Sequence, residues 1–206
     1  MGRLLNEEAR RALQAAVEGV EAGSAVELVV VIPAQSGRYL HADLLGAVLS
    51  GWAGLGFLLF SPWSFSLWSI WIDPLVCGLV GGWLVSRLAP LRRWLTPAGW
   101  RREAVLGCAR ALFVERRISE TRDRSGVLIY LSQLEREVVV LADRGIQQAV
   151  PNEAWAELRE GLARALLDDD GVGAARRLEE FGLVARAALP RRADDVNELS
   201  DAVREA

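Results

Sequence analysis

The chain has 206 residues, of which 51% are hydrophobic and 25% are charged, and its formal net charge is −3. Dedicated nucleic-acid-binding proteins are normally basic, so this charge disfavours that class and we expect no nucleic-acid partner. The apolar residues are concentrated in one region, since no charged side chain lies between Leu44 and Ile72. The length fits one ordinary globular domain with a membrane insert.

The first two predicted elements are a helix and a buried strand. Apolar residues recur at helical spacing from Leu4 to Glu21, and Gly23 is a natural stop. The segment from Ala25 to Ile32 is almost entirely apolar or β-branched, which predicts a strand buried on both faces and ended by Pro33. The charged, amphipathic start is unlike a secretory signal, so we expect the N-terminus to stay in the cytoplasm.

Two apolar segments then predict a transmembrane helical hairpin at residues 41–90. Leu44 to Phe60 is apolar throughout, and Leu67 to Val85 returns after an uncharged turn. Each segment approaches the roughly 20 residues that cross a bilayer. Asp73 and Pro74 leave two alternatives open: a helix that begins at Pro74 with Asp73 as its cap, or one helix that runs through with a kink.

Glycines and tryptophans support this hairpin. Gly78, Gly81 and Gly82 would allow close approach between helices in a membrane. Tryptophans cluster toward both ends of the hairpin, which suits aromatic belts at two membrane interfaces. These tryptophans are Trp63, Trp68 and Trp71 at one end, and Trp83, Trp94 and Trp100 toward the other.

Five arginines that follow the second span predict its orientation, because cytoplasmic loops carry an excess of basic residues. The turn between the spans has no basic residue, so both ends of the hairpin and both termini are expected on the cytoplasmic side. We also expect these arginines to hold the domain to anionic lipids. They are Arg87, Arg92, Arg93, Arg101 and Arg102.

The remaining residues predict a layered α/β domain completed on both sides of the insert. A helix begins at Thr96–Pro97, and two strands, Gly126 to Ser132 and Glu137 to Ala142, form an antiparallel hairpin because their link is short. Two further helices follow Pro151. The fold class is thus a helix–sheet domain interrupted by a transmembrane hairpin. Its parts are residues 1–40, the hairpin at 41–90, residues 91–189, and an acidic tail at 190–206.

Several of these segments resemble the TPM domain family. They are AVELVVVI, CARALFVERRISETRDRSGVLIYLSQLEREVVVLADRGI, VPNEAW and LPRRADDVNELSD, and they cover most of the chain outside the insert. The resemblance implies an α/β sandwich and, in some members, phosphatase activity and calcium binding. The family includes bacterial membrane-anchored proteins, which places this chain in an inner membrane. The best-described members carry a signal peptide and a later anchor, whereas this chain carries its hairpin inside the domain.

Two acids are candidate metal ligands. Glu27 lies within a strand that is otherwise apolar, where a carboxylate is costly unless it is paired or bound to a metal. The alternative is an edge position that faces water. Asp143 ends the third strand, and its alternative is a turn with Gly145. Calcium is implied by the resemblance alone, and no catalytic residue is predicted.

The two cysteines and the histidine give little indication of a function. Cys77 lies in the apolar stretch and Cys108 in a predicted helix, so a disulfide between them is not expected. His41 is the only histidine, which excludes a site with several histidine ligands.

The function expected from these patterns is a membrane-tethered interaction module that aids the assembly of a membrane complex. Its partners would be the lipid bilayer and a membrane protein or a second copy of the chain. The alternative is a phosphatase-like hydrolase, which could depend on a divalent cation.

Overall fold

The computed structural model describes residues 6–121 and 124–191. The chain divides into two compact units. The first, which we call the α/β unit, comprises Met1–Ser36 and Glu103–Ala206. The second, the hairpin unit, comprises Gly37–Arg102 and is therefore longer at both ends than the predicted segment 41–90.

A three-stranded sheet organises the α/β unit. Its strands are β1 (Glu27–Val31), β2 (Gly126–Ser132) and β3 (Glu137–Ala142), in the spatial order β1-β2-β3. β2 pairs with β3 in the antiparallel sense, as predicted, and β1 pairs with β2 in parallel. Because a parallel pair needs a long connection, the whole hairpin unit fits between β1 and β2 in the chain. The mixed α/β class is confirmed.

Helices pack on both faces of this sheet. One face buries alternate strand residues against α1 (Glu7–Gly23), α7 (Asn152–Leu167) and α8 (Gly171–Ala188). The other face packs against α5 (Ala98–Glu115) and a 3-10 turn at Ile118–Glu120. β1 is buried along its whole length, which confirms the prediction of a strand buried on both faces. A short helix, α6 (Arg144–Ala149), follows β3.

The hairpin unit consists of α2 (Leu40–Phe60), α3 (Leu67–Arg87) and a short helix, α4 (Ala89–Leu95). α3 continues through Pro74, and the Ser66 hydroxyl caps it by accepting a hydrogen bond from the Ser69 amide. The alternative in which a helix begins at Pro74 is therefore wrong. α4 is a separate helix that the sequence pattern does not distinguish from its neighbours.

Glycines form the contact between α2 and α3. A Cβ atom on Gly78 would lie 3.1 Å from the Ala47 carbonyl, and one on Gly82 would lie 3.2 Å from the Ala47 Cβ. A Cβ on Gly81 would collide with the Ser50 side chain. These three glycines therefore pack inside the hairpin, where side chains would separate the two helices.

Replacing Gly81 with alanine should destabilise the hairpin, whereas the same change at Gly56 should not. The new methyl group at Gly81 meets Ser50 and lies 3.0 Å from the Gly46 carbonyl, but a Cβ on Gly56 meets nothing within 4 Å. Overpacking costs roughly 1–3 kcal/mol, while alanine favours a helix over glycine by about 1 kcal/mol. Unfolding in detergent micelles, followed by tryptophan fluorescence, measures both variants. Equal stability of Gly81→Ala and Gly56→Ala would contradict this packing.

Candidate functional sites

The exterior of the hairpin is apolar and largely uncovered. α2 and α3 have 21 residues each, and both are long and apolar enough to cross a membrane by length and composition. Only 11% of the most apolar window of α2 and 6% of that of α3 is buried within the structure. Large side chains project outward, among them Trp52, Phe60, Trp71 and Leu79. This is an unusually large apolar surface to leave exposed.

The basic end of the hairpin contains a paired arginine. The Arg92 guanidinium donates from Nε to Asp43 Oδ1 at 3.1 Å and from Nη2 to Oδ2 at 2.7 Å. The two side chains are only 16% and 20% exposed. This two-point contact joins α4 to the first turn of α2, so Arg92 is held by a carboxylate rather than presented to lipid.

The other predicted arginines surround this pair in sequence. Arg87 ends α3, and its guanidinium lies 5.7 Å from the centre of the Trp83 ring, within range of a cation–π contact. Arg93 lies half-buried in α4, while Arg101 and Arg102 lie near the start of α5. The Arg101 Nε atom is buried and has no hydrogen-bond partner among the described residues.

α4 combines these charges with exposed apolar side chains. Leu88, Leu91 and Trp94 are exposed beside Arg92 and Arg93. Such a mixture is typical of a helix that lies in the interface between water and hydrocarbon. This helix was not predicted from the sequence, in which Trp94 was assigned to an aromatic belt and the arginines to a basic cluster.

A buried polar cluster closes one end of the sheet in the α/β unit. The Ser36 hydroxyl lies 2.7 Å from that of Ser132 and 3.0 Å from that of Tyr130. The Ser132 hydroxyl donates to Glu135, and the Ser36 amide donates to the same carboxylate at 2.8 Å. Glu135 is 2% exposed, so these donors offset the cost of burying its charge.

Cys108 completes the polar cluster from α5. Its thiol donates to the Ser36 carbonyl at 3.1 Å. Burial raises the pKa of the Tyr130 phenol, although its hydrogen bond with Ser36 acts in the opposite direction. The cluster was missed from the sequence, because Ser36 and Glu135 are far apart in the chain. Cys77 and Cys108 are both free thiols in the structure.

The two candidate metal ligands lie at the opposite end of the sheet. Glu27 pairs with Gly126, and the Asp143 amide donates to the Gly126 carbonyl at 2.9 Å. Both acids therefore neighbour Gly126 at the same end, one on each side. A Cβ on Gly126 would collide with the Ile118 carbonyl, so backbone already occupies the position above this glycine.

Glu27 is buried in the sheet, and Asp143 caps a helix. Glu27 is 8% exposed, so the alternative in which it faces water is wrong. Asp143 caps α6, and its Oδ1 atom accepts a hydrogen bond from the Arg144 amide at 2.7 Å. Its Oδ2 atom is buried with no hydrogen-bond partner among the described residues.

The described side chains do not assemble a carboxylate cluster for a calcium ion. Calcium takes about six to eight oxygen ligands. Within residues 6–121 and 124–191, no group of three or more histidine, cysteine, aspartate or glutamate side chains could hold a metal. Glu27 and Asp143 remain predicted ligands, without a complete coordination shell around them.

The fold is similar to that of a known bacterial protein. An NMR structure of the BA42 protein from the psychrophilic bacterium Bizionia argentinensis superposes with a TM-score of 0.60 at 15% sequence identity. The similarity covers 98% of this chain and 95% of that protein. At this identity the likeness concerns the fold alone. No protein-family model and no curated protein matches the chain.

The Tyr130 phenol should ionise above pH 10.0, its ordinary value, because burial disfavours the phenolate. Its contribution to stability is therefore complete below pH 10.0 and is lost as the pH rises through the raised value. The phenolate absorbance of the wild type minus that of Tyr130→Phe isolates this group, because the chain has two tyrosines. Ser36→Ala should raise the pKa further. A difference signal that titrates at or below the ordinary value would contradict the buried cluster.

Proposed function

We propose that this chain is a membrane-anchored TPM-like domain that acts as an interaction module in the assembly of a membrane complex. In this proposal α2 and α3 cross the inner membrane of a bacterium, and the α/β unit lies on the cytoplasmic side. The observation that carries it is the apolar exterior of the hairpin, most of which no other part of the described chain covers.

The dimensions of the hairpin support the membrane part of the proposal. A helix of 21 residues is about 31 Å long, which matches a hydrocarbon core of about 30 Å. Exposed Trp63, Trp68 and Trp71 gather toward one end, and exposed Trp83 and Trp94 lie toward the other. Tryptophan prefers the two membrane interfaces, so this distribution fits a spanning orientation.

The charges support the orientation. All five of the arginines named above lie at the end of the hairpin where α3 finishes, and residues 61–66 contain none. The excess of basic residues therefore favours the cytoplasmic side for that end. Since Arg92 is paired with Asp43, the remaining arginines would make the contacts with anionic lipid headgroups.

The TPM-like identity of the α/β unit is supported by its layers and by the segments that resemble the family. The quoted stretch GVLIYLSQLEREVVVLADRGI forms β2, β3 and the start of α6, and AVELVVVI contains β1. Helices pack on both faces of these strands, as an α/β sandwich requires.

The interaction role is supported by the shape of the hairpin surface. α2 and α3 form a shallow, open apolar groove of about 570 Å³ on one side of their contact. Partner helices in membranes pack most closely where small residues let backbones approach. The lining includes Ala47, Gly51, Trp52, Pro74 and Gly78.

Native membranes should contain a stoichiometric membrane-protein partner. The test is chemical cross-linking of membranes washed with alkaline carbonate, followed by purification in mild detergent and mass spectrometry. The control replaces residues 40–87 with an unrelated two-helix hairpin of the same length, which keeps the anchor but removes its surface. We expect the partner with the wild type and its loss with the control, because the hairpin surface makes the contact.

Recovery of the chain alone would contradict the assembly role. That result would favour the alternative, a phosphatase-like hydrolase, with Glu27 and Asp143 as the acids to substitute. Release of the chain by the carbonate wash would contradict the membrane anchor itself.

A further inference from the structure

Asp73 is an ionisable residue on the outside of a proposed membrane helix. It is the seventh residue of α3, which continues without a break from Leu67 to Arg87. Ser66 caps this helix, so Asp73 does not serve as an N-cap. Its side chain is exposed, and the residues around it in sequence are apolar.

The position of Asp73 places it below the membrane surface if α3 spans the bilayer. It lies six residues after Leu67 in the helix, which corresponds to about 9 Å along the axis. Trp68 and Trp71, both exposed, lie between Leu67, where α3 begins, and Asp73. Ionisable groups at such depths are costly unless they meet a partner or water, and they often mark functional contacts.

The residues that the structure describes offer no such partner. No hydrogen bond or ion pair joins the Asp73 side chain to another of the residues that the structure describes. No arginine or lysine lies between Arg38 and Arg87 in the sequence. A second copy of the same hairpin would therefore bring no positive charge to this depth.

We propose that Asp73 is the recognition point for a membrane helix of another protein that carries an arginine or lysine at matching depth. The inference rests on the proposed membrane insertion and names the chemistry of the partner. The contact face follows from helical spacing: Val76 and Val80, at three and seven residues beyond Asp73, lie on the same side. They are 51% and 49% exposed, and they would pack beside the ion pair.

The test places a photoreactive amino acid at Val76 in the full chain, within native membranes. A matched control carries it at Leu75, which is 68% exposed but two residues from Asp73, and therefore on a different side of the helix. We expect an adduct with one membrane protein from Val76 and not from Leu75. Asp73→Asn should reduce the yield about tenfold, as expected for the loss of a strong contact between membrane helices.

The partner identified in this way must carry an arginine or lysine in its membrane segment. Neutralising one arginine or lysine in its membrane segment should lower the adduct yield as Asp73→Asn does. Exchanging the two charges, with Asp73→Lys and an aspartate in the partner, should restore the yield.

Three results would overturn the inference. They are an undiminished adduct with Asp73→Asn, an adduct with a second copy of the chain, and adducts with lipid alone. Alkaline carbonate extraction of the same membranes separates these results from a failure of the proposed anchor. A chain that stays in the membrane without the adduct contradicts only the Asp73 contact, whereas a chain that is extracted contradicts the anchor as well.

Discussion

Two apolar helices with little cover impose the main constraint on this protein. Water disfavours exposed hydrocarbon in proportion to its area, and α2 and α3 expose tryptophan, phenylalanine and leucine side chains along most of their length. A bilayer removes this cost without any further folding. If the hairpin lies in a bilayer as proposed, no hydrophobic drive would join the two helices, and the close backbone packing at the glycines would provide the attraction.

The sheet of the α/β unit pairs two strands that a long insertion separates in the sequence. β1 and β2 are neighbours in space although the hairpin unit separates them in sequence. The polar cluster holds the chain close to where it leaves and re-enters this unit. Ser36 is the last residue before the hairpin unit, Cys108 lies shortly after it, and both contact the end of the sheet formed by β2 and its link to β3. Hydrogen bonds from Ser36 and Ser132 to the buried Glu135 carboxylate fix the geometry of this cluster.

Much of this architecture could be predicted from the sequence, because the signals are local. The apolar spans follow from composition, the β2–β3 hairpin from two β-branched segments joined by QLER, and the burial of β1 from AVELVVVI. At the start of α1 the Asn6 side chain accepts a hydrogen bond from the Ala9 amide at 2.7 Å, and asparagine is a residue that helix N-caps favour.

The features that sequence reasoning missed depend on contacts between distant residues. The Asp43–Arg92 pair and the Ser36–Glu135 contact join segments that no periodicity relates. α4 was missed because Leu88 interrupts the helix without glycine, although Pro90 stands at the start of α4 as helix starts favour. Whether α3 runs through Pro74 was also undecided, since Asp followed by Pro is equally a good helix start. Only the packing of Gly51 against the Pro74 carbonyl shows that this segment belongs to the hairpin contact.

The most direct measurement of the central claim is the sidedness of the hairpin in intact bacterial cells. Single cysteines are introduced as Ser64→Cys, in the turn between α2 and α3, and as Arg102→Cys, near the start of α5, with Cys77 and Cys108 replaced by serine. Both positions are exposed, so a membrane-impermeant maleimide can reach them when no membrane intervenes. A spanning hairpin predicts labelling of Ser64→Cys in intact cells and of Arg102→Cys only after the membrane is permeabilised. Labelling of both positions only after permeabilisation, with the chain recovered in the soluble fraction, would contradict the account.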